Sequence, residues 1–188
     1  MPESGELPAL APAVRGSRRE RSDAELIGAV RAGSAAAAET LVDRHWDRAH
    51  RVAFAILADP HLAEEVTQES MVSILARVGR FDTRRPFEPW LHRVVANRAL
   101  DYARARARRS QVHRLVAAPA SESGSDPRLV EALAALPPDR RAVVVLRHVA
   151  GYGTNEIARI LGIRRGTVGS RLRRGLDQLR SELEESDG

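Results

Sequence analysis

The sequence predicts an all-α protein in which two small helical domains are joined by a flexible linker. Apolar residues recur at helical spacing, and no alternating β-branched pattern is present. Hydrophobic residues make up 43% of the chain and aromatic residues only 4%, so cores lined by Leu, Val and Ala are expected. Residues 111–126 have the Ala-, Pro-, Ser- and Gly-rich composition of a linker. The expected organisation is a disordered N-terminal arm at 1–21, a first domain at 22–110, a second domain at 127–183 and a tail at 184–188.

The first domain should contain four helices. Ser22 and Glu25 fit a capping box, and the apolar stripe that follows them stops at Gly33. Asp59 suits an N-cap and Pro60 suits a first helical turn, so together they separate the second helix from the third. The fourth helix becomes densely basic towards its end. After the first short helix, the expected ranges are 35–57, 61–78 and 87–109.

A helix-turn-helix is the sharpest pattern in the second domain. Ala158 is small where two short helices must approach each other, and Gly162 supplies the turn between them. Exposed arginines on the second of these helices favour DNA binding over a plain solvated hairpin. Because the linker holds few apolar residues, we expect the two domains to fold separately. The helices of the second domain are expected at 127–136, 138–150, 155–161 and 167–183.

Composition excludes several classes of function. The chain has no cysteine, which excludes disulfide scaffolds, thiolate metal sites and cysteine nucleophiles. Its six histidines are scattered, and no metalloprotease, nucleophile-elbow or phosphate-loop motif is present, so neither catalysis nor a metal or other cofactor is expected. The net charge of +5 favours an acidic partner, although every one of the 30 basic residues is Arg, a skew that GC-rich codon usage produces by itself. No apolar run is long enough to span a membrane and no signal peptide is recognisable, so a cytoplasmic location is expected.

Two sets of motifs, in the right order and with a linker between them, resemble extracytoplasmic-function (ECF) sigma factors. In the first domain, the stretch from Ala63 to Glu69, Phe81-Asp82, Trp90-Leu91 and the stretch from Val95 to Tyr102 are similar to region 2 of that family. In the second domain, the stretch from Ala135 to Arg141, Glu156-Ile157-Ala158, Leu161-Gly162-Ile163, Gly166-Thr167-Val168 and Ser170-Arg171-Leu172 resemble region 4. The resemblance covers about residues 22–183. It implies a protein that lends promoter recognition to bacterial RNA polymerase and catalyses nothing itself.

The resemblance assigns an acidic face of the third helix to core polymerase. In the family this helix binds the β′ clamp helices, and an acidic face beside an apolar residue suits a basic coiled coil. From the residues alone, a solvated helix face is the alternative. The implied residues are Glu64, Glu65, Gln68, Glu69 and Val72.

The loop before the fourth helix, and one face of that helix, are implied in minus-ten recognition. Opening a promoter requires a pocket for bases that leave the stack, next to cationic contacts to the backbone. The alternative is that Phe81 and Trp90 are core residues, which we favour for Trp90. The implied residues are Phe81, Asp82, Thr83, Arg84, Arg85, Asn97, Arg98, Asp101 and Arg104.

Region 4 of the family reads the minus-35 element and binds the polymerase β flap. Two features depart from the family pattern. Gly169 stands where a basic residue is common, and Gly costs about 1 kcal/mol in a helix interior. The turn Gly151-Tyr152-Gly153 stands where a bulkier sequence is typical of the family. The implied minus-35 residues are Arg164, Arg165, Thr167, Ser170, Arg171, Arg173 and Arg174.

The partners that follow from the resemblance are core RNA polymerase, promoter DNA and an anti-sigma factor, with no insertion into a membrane. Association with the nucleoid is expected when the chain is part of the holoenzyme. The alternative function is a helix-turn-helix transcription regulator that acts without core polymerase. It explains the second domain equally well, but it does not explain the constellation from Phe81 to Asn97.

Overall fold

The computed structural model describes residues 21–110 and 126–185, and this part of the chain is helical with no strand. The helices are α1 (Asp23–Arg31), α2 (Ala35–Leu57), α3 (Pro60–Arg77), α4 (Phe87–Ser110), α5 (Pro127–Ala135), α6 (Pro138–His148), α7 (Thr154–Leu161) and α8 (Arg165–Glu185), with a 3₁₀ turn at Val78–Arg80. The all-α prediction is confirmed. Nearly all of the expected arm and linker, and the end of the expected tail, lie outside the described residues. None of the described helices has the length and apolar character needed to cross a membrane.

Side-chain caps set the starts of α1 and α3 where the sequence predicts them. Ser22 and Glu25 form the expected capping box, in which Ser22 Oγ accepts from the Glu25 amide at 3.3 Å and the Glu25 carboxylate accepts from the Ser22 amide at 2.6 Å. Asp59 Oδ1 accepts from the Leu62 amide at 3.1 Å, directly after the end of α2. Each cap satisfies an amide that has no partner inside its helix.

The turn of the helix-turn-helix is built around Gly162. This residue ends α7 in the left-handed conformation, with φ of +65°, which Gly adopts without steric cost. Helix α8 begins at Arg165, two residues earlier than predicted. The reason is that the Arg164 carbonyl already accepts from the Thr167 amide at 2.9 Å, so the helical hydrogen-bond pattern starts there.

The first four helices pack around α2, which contacts α1, α3 and α4. Burial of each Leu, Ile or Val side chain contributes about 1.5–3 kcal/mol relative to an exposed one, so this apolar centre is the main stabilising feature of the first half. Large apolar side chains that are almost completely buried there include Leu26, Ile27, Leu41, Val52, Ile56, Ile74, Leu91 and Val95.

The second half of the chain packs directly on the first. Helices α5 and α6 contact α2, and α6 and α7 contact α4. Buried residues of both halves form one continuous apolar cluster, in which Leu146, Ile157 and Ile160 join the core around α2 and α4. The composition of the linker did not predict this contact, because the contact is made by helices α2, α4, α5, α6 and α7, which lie outside the expected linker.

Arg141 binds α6 to the ends of two other helices. Its Nη1 donates to the Ile56 carbonyl at 2.9 Å, and its Nη2 donates to the carbonyls of Leu136, at 2.9 Å, and Ala134. Ile56 and Ala134 lie in the last turns of α2 and α5, where carbonyls lack a helical partner. Burial, and then the nearby Arg106 cation, lowers the pKa of Arg141 to about 10.

Helix α8 lies unusually close to α6. A Cβ at Gly175 would stand 2.9 Å from Val144 Cγ2, and Val144 is buried in the small apolar cluster between α5, α6 and α8. At Gly169, in contrast, no atom beyond the adjoining residues and backbone of α8 lies within 4 Å of the position a Cβ would take. The two glycines therefore have different roles in one helix, since only Gly175 is required by packing.

We expect alanine at these two positions to change stability in opposite directions. Gly169→Ala should stabilise the protein by about 0.5–1 kcal/mol, because Ala loses less backbone entropy on forming a helix. Gly175→Ala should destabilise it, because overpacking costs about 1–3 kcal/mol and outweighs the same gain. Urea unfolding of both variants measures the difference, and shifts of the same sign would contradict the packing role of Gly175.

Candidate polymerase and DNA interfaces

The acidic residues of α3 form one exposed face. Glu64, Glu65, Gln68, Glu69 and Val72 are all exposed, and their spacing places them along one side of the helix. The Val72 side chain is 64% exposed, which makes it a conspicuous apolar residue in an acidic setting. Glu69 also accepts from Arg98 Nη1 of α4 at 2.8 Å. The face is thus carboxylate-rich, with an apolar residue at one end.

The loop between α3 and α4 buries Phe81 in the apolar core and leaves its arginines exposed to solvent. Phe81 is only 9% exposed, and its ring centroid lies 4.8 Å from that of Trp90 and 5.7 Å from that of Phe87. Arg31 of α1 donates to the Phe81 carbonyl and so ties the loop to the first helix. Phe81 is thus buried and Trp90 partly buried against the core, and the minus-ten role implied for Phe81 stays a prediction.

Asp82 shapes the exposed part of the same loop. Its carboxylate accepts from the Arg84 amide at 3.1 Å and from Arg84 Nε at 2.9 Å, while Arg85 lies 3.8 Å away. The Arg84 hydrogen bonds hold the pKa of Asp82 below its usual value. Thr83 is half-buried between them. The loop therefore presents Arg84 and Arg85 to solvent in a defined turn.

A cationic cleft of about 980 Å³ lies between this loop and α7. Its floor includes Phe81 and Trp90, and its two carboxylates are already engaged: that of Asp82 with Arg84, and that of Glu156 with the Gly153 amide at 2.9 Å. The arginines that line it are Arg77, Arg80, Arg85, Arg93 and Arg159. The cleft therefore carries a positive field that suits an anion.

Asn97 and Arg104 of α4 face the second half of the chain. Asn97 Nδ2 donates to the Ile160 carbonyl of α7 at 2.8 Å, and Arg104 Nη2 donates to Asp139 of α6 at 2.6 Å. Asp101 is exposed and lies 3.5 Å from Arg104. The structure thus separates the implied minus-ten residues: the loop arginines lie in solvent, Asn97 and Arg104 contact α7 and α6, Arg98 pairs with Glu69 of α3, and Asp101 is exposed.

The recognition helix α8 presents a basic outer face. The side chains of Arg165, Arg173 and Arg174 on the helix, and of Arg164 just before it, are exposed, as the sequence predicts. Arg171 differs from them, because its Nη1 lies 3.3 Å from Asp139 and its side chain is only 27% exposed. Thr167 and Ser170 are half-buried, and Ser170 Oγ donates to the Thr167 carbonyl at 3.1 Å.

His92 and Tyr152 form a buried contact between the halves that sequence reasoning missed. His92 Nδ1 lies 2.7 Å from Tyr152 Oη, and His92 is only 2% exposed. Burial lowers the pKa of His92, against a smaller opposing effect of Glu88, and burial also raises the pKa of Tyr152. Gly151, with φ of +75°, turns the chain so that Tyr152 reaches α4. The only sequence signal was the departure of this turn from the family pattern.

Family comparisons match the two halves separately. Residues 41–109 match the model for sigma-70 region 2, and residues 127–179 match the model for sigma-70 region 4. The chain is 35% identical to the ECF RNA polymerase sigma factor SigM of Mycobacterium tuberculosis strain H37Rv over 172 residues, covering 87% of this chain and 86% of SigM. This chain is an ECF sigma factor of the sigma-70 family. The family consists of transcription initiation factors, and helix α1 lies outside both matched segments.

Another relative and two solved structures support the same family assignment. It is 36% identical to the ECF RNA polymerase sigma factor SigE of Mycolicibacterium smegmatis over 163 residues, which cover 77% of this chain and 61% of SigE. Among solved structures, CnrH in complex with the cytosolic domain of CnrY matches with a TM-score of 0.64 and 26% identity over 88% of this chain and 99% of that one. RpoE of Bartonella quintana, in complex with the anti-sigma factor NepR, matches with a TM-score of 0.59 and 22% identity over 85% and 92%, which shows a shared fold.

Proposed function

We propose that this sigma factor directs bacterial core RNA polymerase to specific promoters and divides the task among three surfaces. The observation that carries the proposal is the separation of charge on one chain: a carboxylate-rich face on α3, and arginine-rich faces on the α3–α4 loop and α8. The carboxylate-rich face suits a basic protein surface, and the arginine-rich faces suit nucleic acid. A simple DNA-binding regulator has no need of the first surface.

The α3 face is the proposed contact with core polymerase. Its exposed carboxylates complement a basic coiled coil such as the β′ clamp helices, and exposed Val72 supplies an apolar contact of the kind found at the centre of interfaces. The helix-turn-helix half is the proposed partner of the β flap. Both partners carry over from the family resemblance.

The arginine-rich surfaces are the proposed promoter contacts. In the minus-ten region, Arg84 and Arg85 would meet phosphates, and Asn97 would bind an unstacked base. At the minus-35 element, the N-terminal part of α8 enters the major groove, and its exposed arginines contact phosphates and base edges. Because Gly169 supplies no cation, α8 depends more heavily on its exposed arginines for contact with DNA.

An anti-sigma factor is a further proposed partner, since CnrH and the Bartonella RpoE were each solved with a protein bound, and NepR is an anti-sigma factor. We place the chain in the cytoplasm and, when it is bound to core polymerase, on the nucleoid.

Run-off transcription tests the function. Purified chain and core polymerase, on promoter fragments selected from the source genome, should give discrete transcripts that neither component gives alone. The free chain should bind the same duplex weakly at physiological salt, because core polymerase sets the spacing of the two DNA-binding domains. Tight, sequence-specific binding without polymerase, and no transcript with it, would instead support a helix-turn-helix regulator.

A further inference from the structure

We propose that the cationic cleft between the α3–α4 loop and α7 is a binding site for a nucleoside diphosphate or triphosphate. Residues of both α4 and α7 line the cleft, so the ligand would contact both halves of the chain. Phe81, Asp82 and Arg85 of the loop are shared with the proposed minus-ten surface, and the rest of the lining is separate from the proposed DNA and polymerase surfaces. The proposal does not depend on the proposed function.

The charges that line the cleft are unbalanced. It holds five arginines and two carboxylates, which leave an excess of three positive charges. The carboxylates of Asp82 and Glu156 already accept hydrogen bonds from Arg84 and from the Gly153 amide. Within the described part of the chain, the arginines of the cleft that form no ion pair are Arg77, Arg80, Arg93 and Arg159. An anionic ligand would supply the missing counter-charge.

These four arginines converge from separate elements of the fold. Arg77 lies in the last turn of α3 and Arg80 in the 3₁₀ turn after it, whereas Arg93 belongs to α4 and Arg159 to α7. The family resemblance assigns none of the four to promoter DNA or to polymerase. A solvated helix face would place such cations along one element. Convergence on a single cavity is instead typical of a site that orients a ligand through a few polar groups.

An aromatic floor lies beneath the cations. The Phe81 ring is buried, and the half-buried Trp90 indole lies against it with the ring centroids 4.8 Å apart and the planes tilted by 31°. Pro86, Pro89 and Ile160 complete the apolar lining. An accessible indole surface suits stacking by a flat ring such as a nucleobase. Because the arginines are all exposed, the phosphates would lie at the mouth of the cleft and the base on its floor.

The size and charge of the cleft favour one nucleotide with several phosphates over a strand of DNA. Its volume of about 980 Å³ is within the range of small-molecule pockets, about 300–1,000 Å³. A terminal phosphate carries about two negative charges near pH 7 and each inner phosphate about one more, so two or three phosphates match the excess of three. DNA brings only one charge with each nucleotide, so a captured base would leave most of this excess uncompensated.

The binding experiment uses the full chain with GTP as the probe, in buffer without Mg²⁺ so that the phosphates keep their charge. Isothermal titration calorimetry gives affinity and stoichiometry. Of the two tryptophans, Trp90 lines the cleft and Trp46 does not, so a Trp46→Phe background makes Trp90 the single indole reporter. Guanosine and inorganic tripolyphosphate present the ring and the phosphates separately. A single-stranded oligonucleotide tests DNA as the occupant.

Two variants remove one cation from each side of the cleft. They are Arg93→Gln on α4 and Arg159→Gln on α7, both at exposed positions. The matched controls are Arg108→Gln on α4 and Arg180→Gln on α8, which remove the same charge from exposed arginines outside the cleft. Loss of a guanidinium contact to phosphate should weaken GTP binding about tenfold or more. Each control should stay within about twofold of the unmodified chain, and circular dichroism verifies folding.

We expect one GTP to bind per chain, to quench Trp90 fluorescence, and to bind about tenfold more tightly than guanosine or tripolyphosphate. Absence of saturable binding would overturn the proposal. Equal affinity for tripolyphosphate would also overturn it, by making the cleft a simple anion site, and so would equal losses in the control variants. An oligonucleotide that binds more tightly than GTP, and that loses affinity through Arg93→Gln and Arg159→Gln, would make the cleft a DNA contact instead. None of these measurements uses transcription, so the proposed function stands or falls separately.

Discussion

Replacement of Arg141 by Met is expected to lower the free energy of unfolding by about 3–5 kcal/mol. Met is similar in length and leaves little empty space, so most of the loss comes from hydrogen bonds. Three carbonyls, those of Ile56, Ala134 and Leu136, lose their donor, and a buried polar group without a partner costs about 1–3 kcal/mol. Because Met carries no charge, the variant avoids the desolvation penalty of a buried cation, and this gain offsets part of the cost.

The neighbouring Arg140→Met serves as the control for this measurement. Arg140 Nη1 donates to Gln178 at 3.1 Å at the half-buried surface of α6, so its loss should cost less than about 1 kcal/mol. Arg141→Lys should fall closer to Arg141→Met, because an ammonium group does not reproduce the planar fork that reaches several carbonyls. Urea unfolding followed by circular dichroism gives all three values. Equal effects of Arg140→Met and Arg141→Met would show that the carbonyl contacts contribute nothing.

Charge reversal on the α3 face is expected to cause the largest functional loss. The double variant Glu65→Arg and Val72→Arg places two cations opposite a basic partner and removes the exposed apolar side chain. Juxtaposed like charges cost several kcal/mol, and each 1.4 kcal/mol is a factor of ten, so affinity for core polymerase should fall about 100-fold. Transcription should fall with it. Binding of the free chain to DNA should not weaken.

The control is Glu39→Arg with Thr40→Arg, which makes the same change in net charge at two exposed positions of α2. It should leave core binding within about twofold of the unmodified chain, since neither residue belongs to the α3 face. Pull-down with core polymerase and run-off transcription are the measurements, with circular dichroism to verify folding. If both double variants bind core polymerase normally, the polymerase contact lies elsewhere on the chain.

Sequence periodicity predicted the helices well because each helix end has a local cause. Ser22 and Asp59 are caps, Gly162 is a left-handed turn, and each acts within a few residues of its position. The exposed faces of α3 and α8 were predicted for a similar reason, since their charged residues recur at helical spacing on a different side from their apolar residues.

The contact between the halves was not predictable from such local patterns. Arg104 and Asp139 are 35 residues apart, and nothing in the spacing around either one identifies the other. From the sequence, Arg141 was only the last residue of a stretch that resembles region 4, yet it is buried and donates to three carbonyls. The rings of Phe87 and Trp90 place Phe81 at the edge of the core, where it also lines the cleft, so its minus-ten role stays a prediction. Whether such residues are buried or exposed depends on partners that lie far away in the sequence.

The shared carboxylate of Asp139 also changes what an ionic-strength titration reports. An arginine that meets a phosphate ordinarily lets the DNA release close to one bound counterion. Arg104 and Arg171 begin in contact with Asp139, so moving them onto phosphates leaves this carboxylate to acquire a cation of its own. The release from DNA and the uptake by the protein partly cancel. If Arg104 and Arg171 contact phosphates, as the family resemblance implies, the logarithmic slope of affinity against salt concentration should therefore be shallower than the number of arginines on the DNA, and the contacts counted from that slope would be a lower bound.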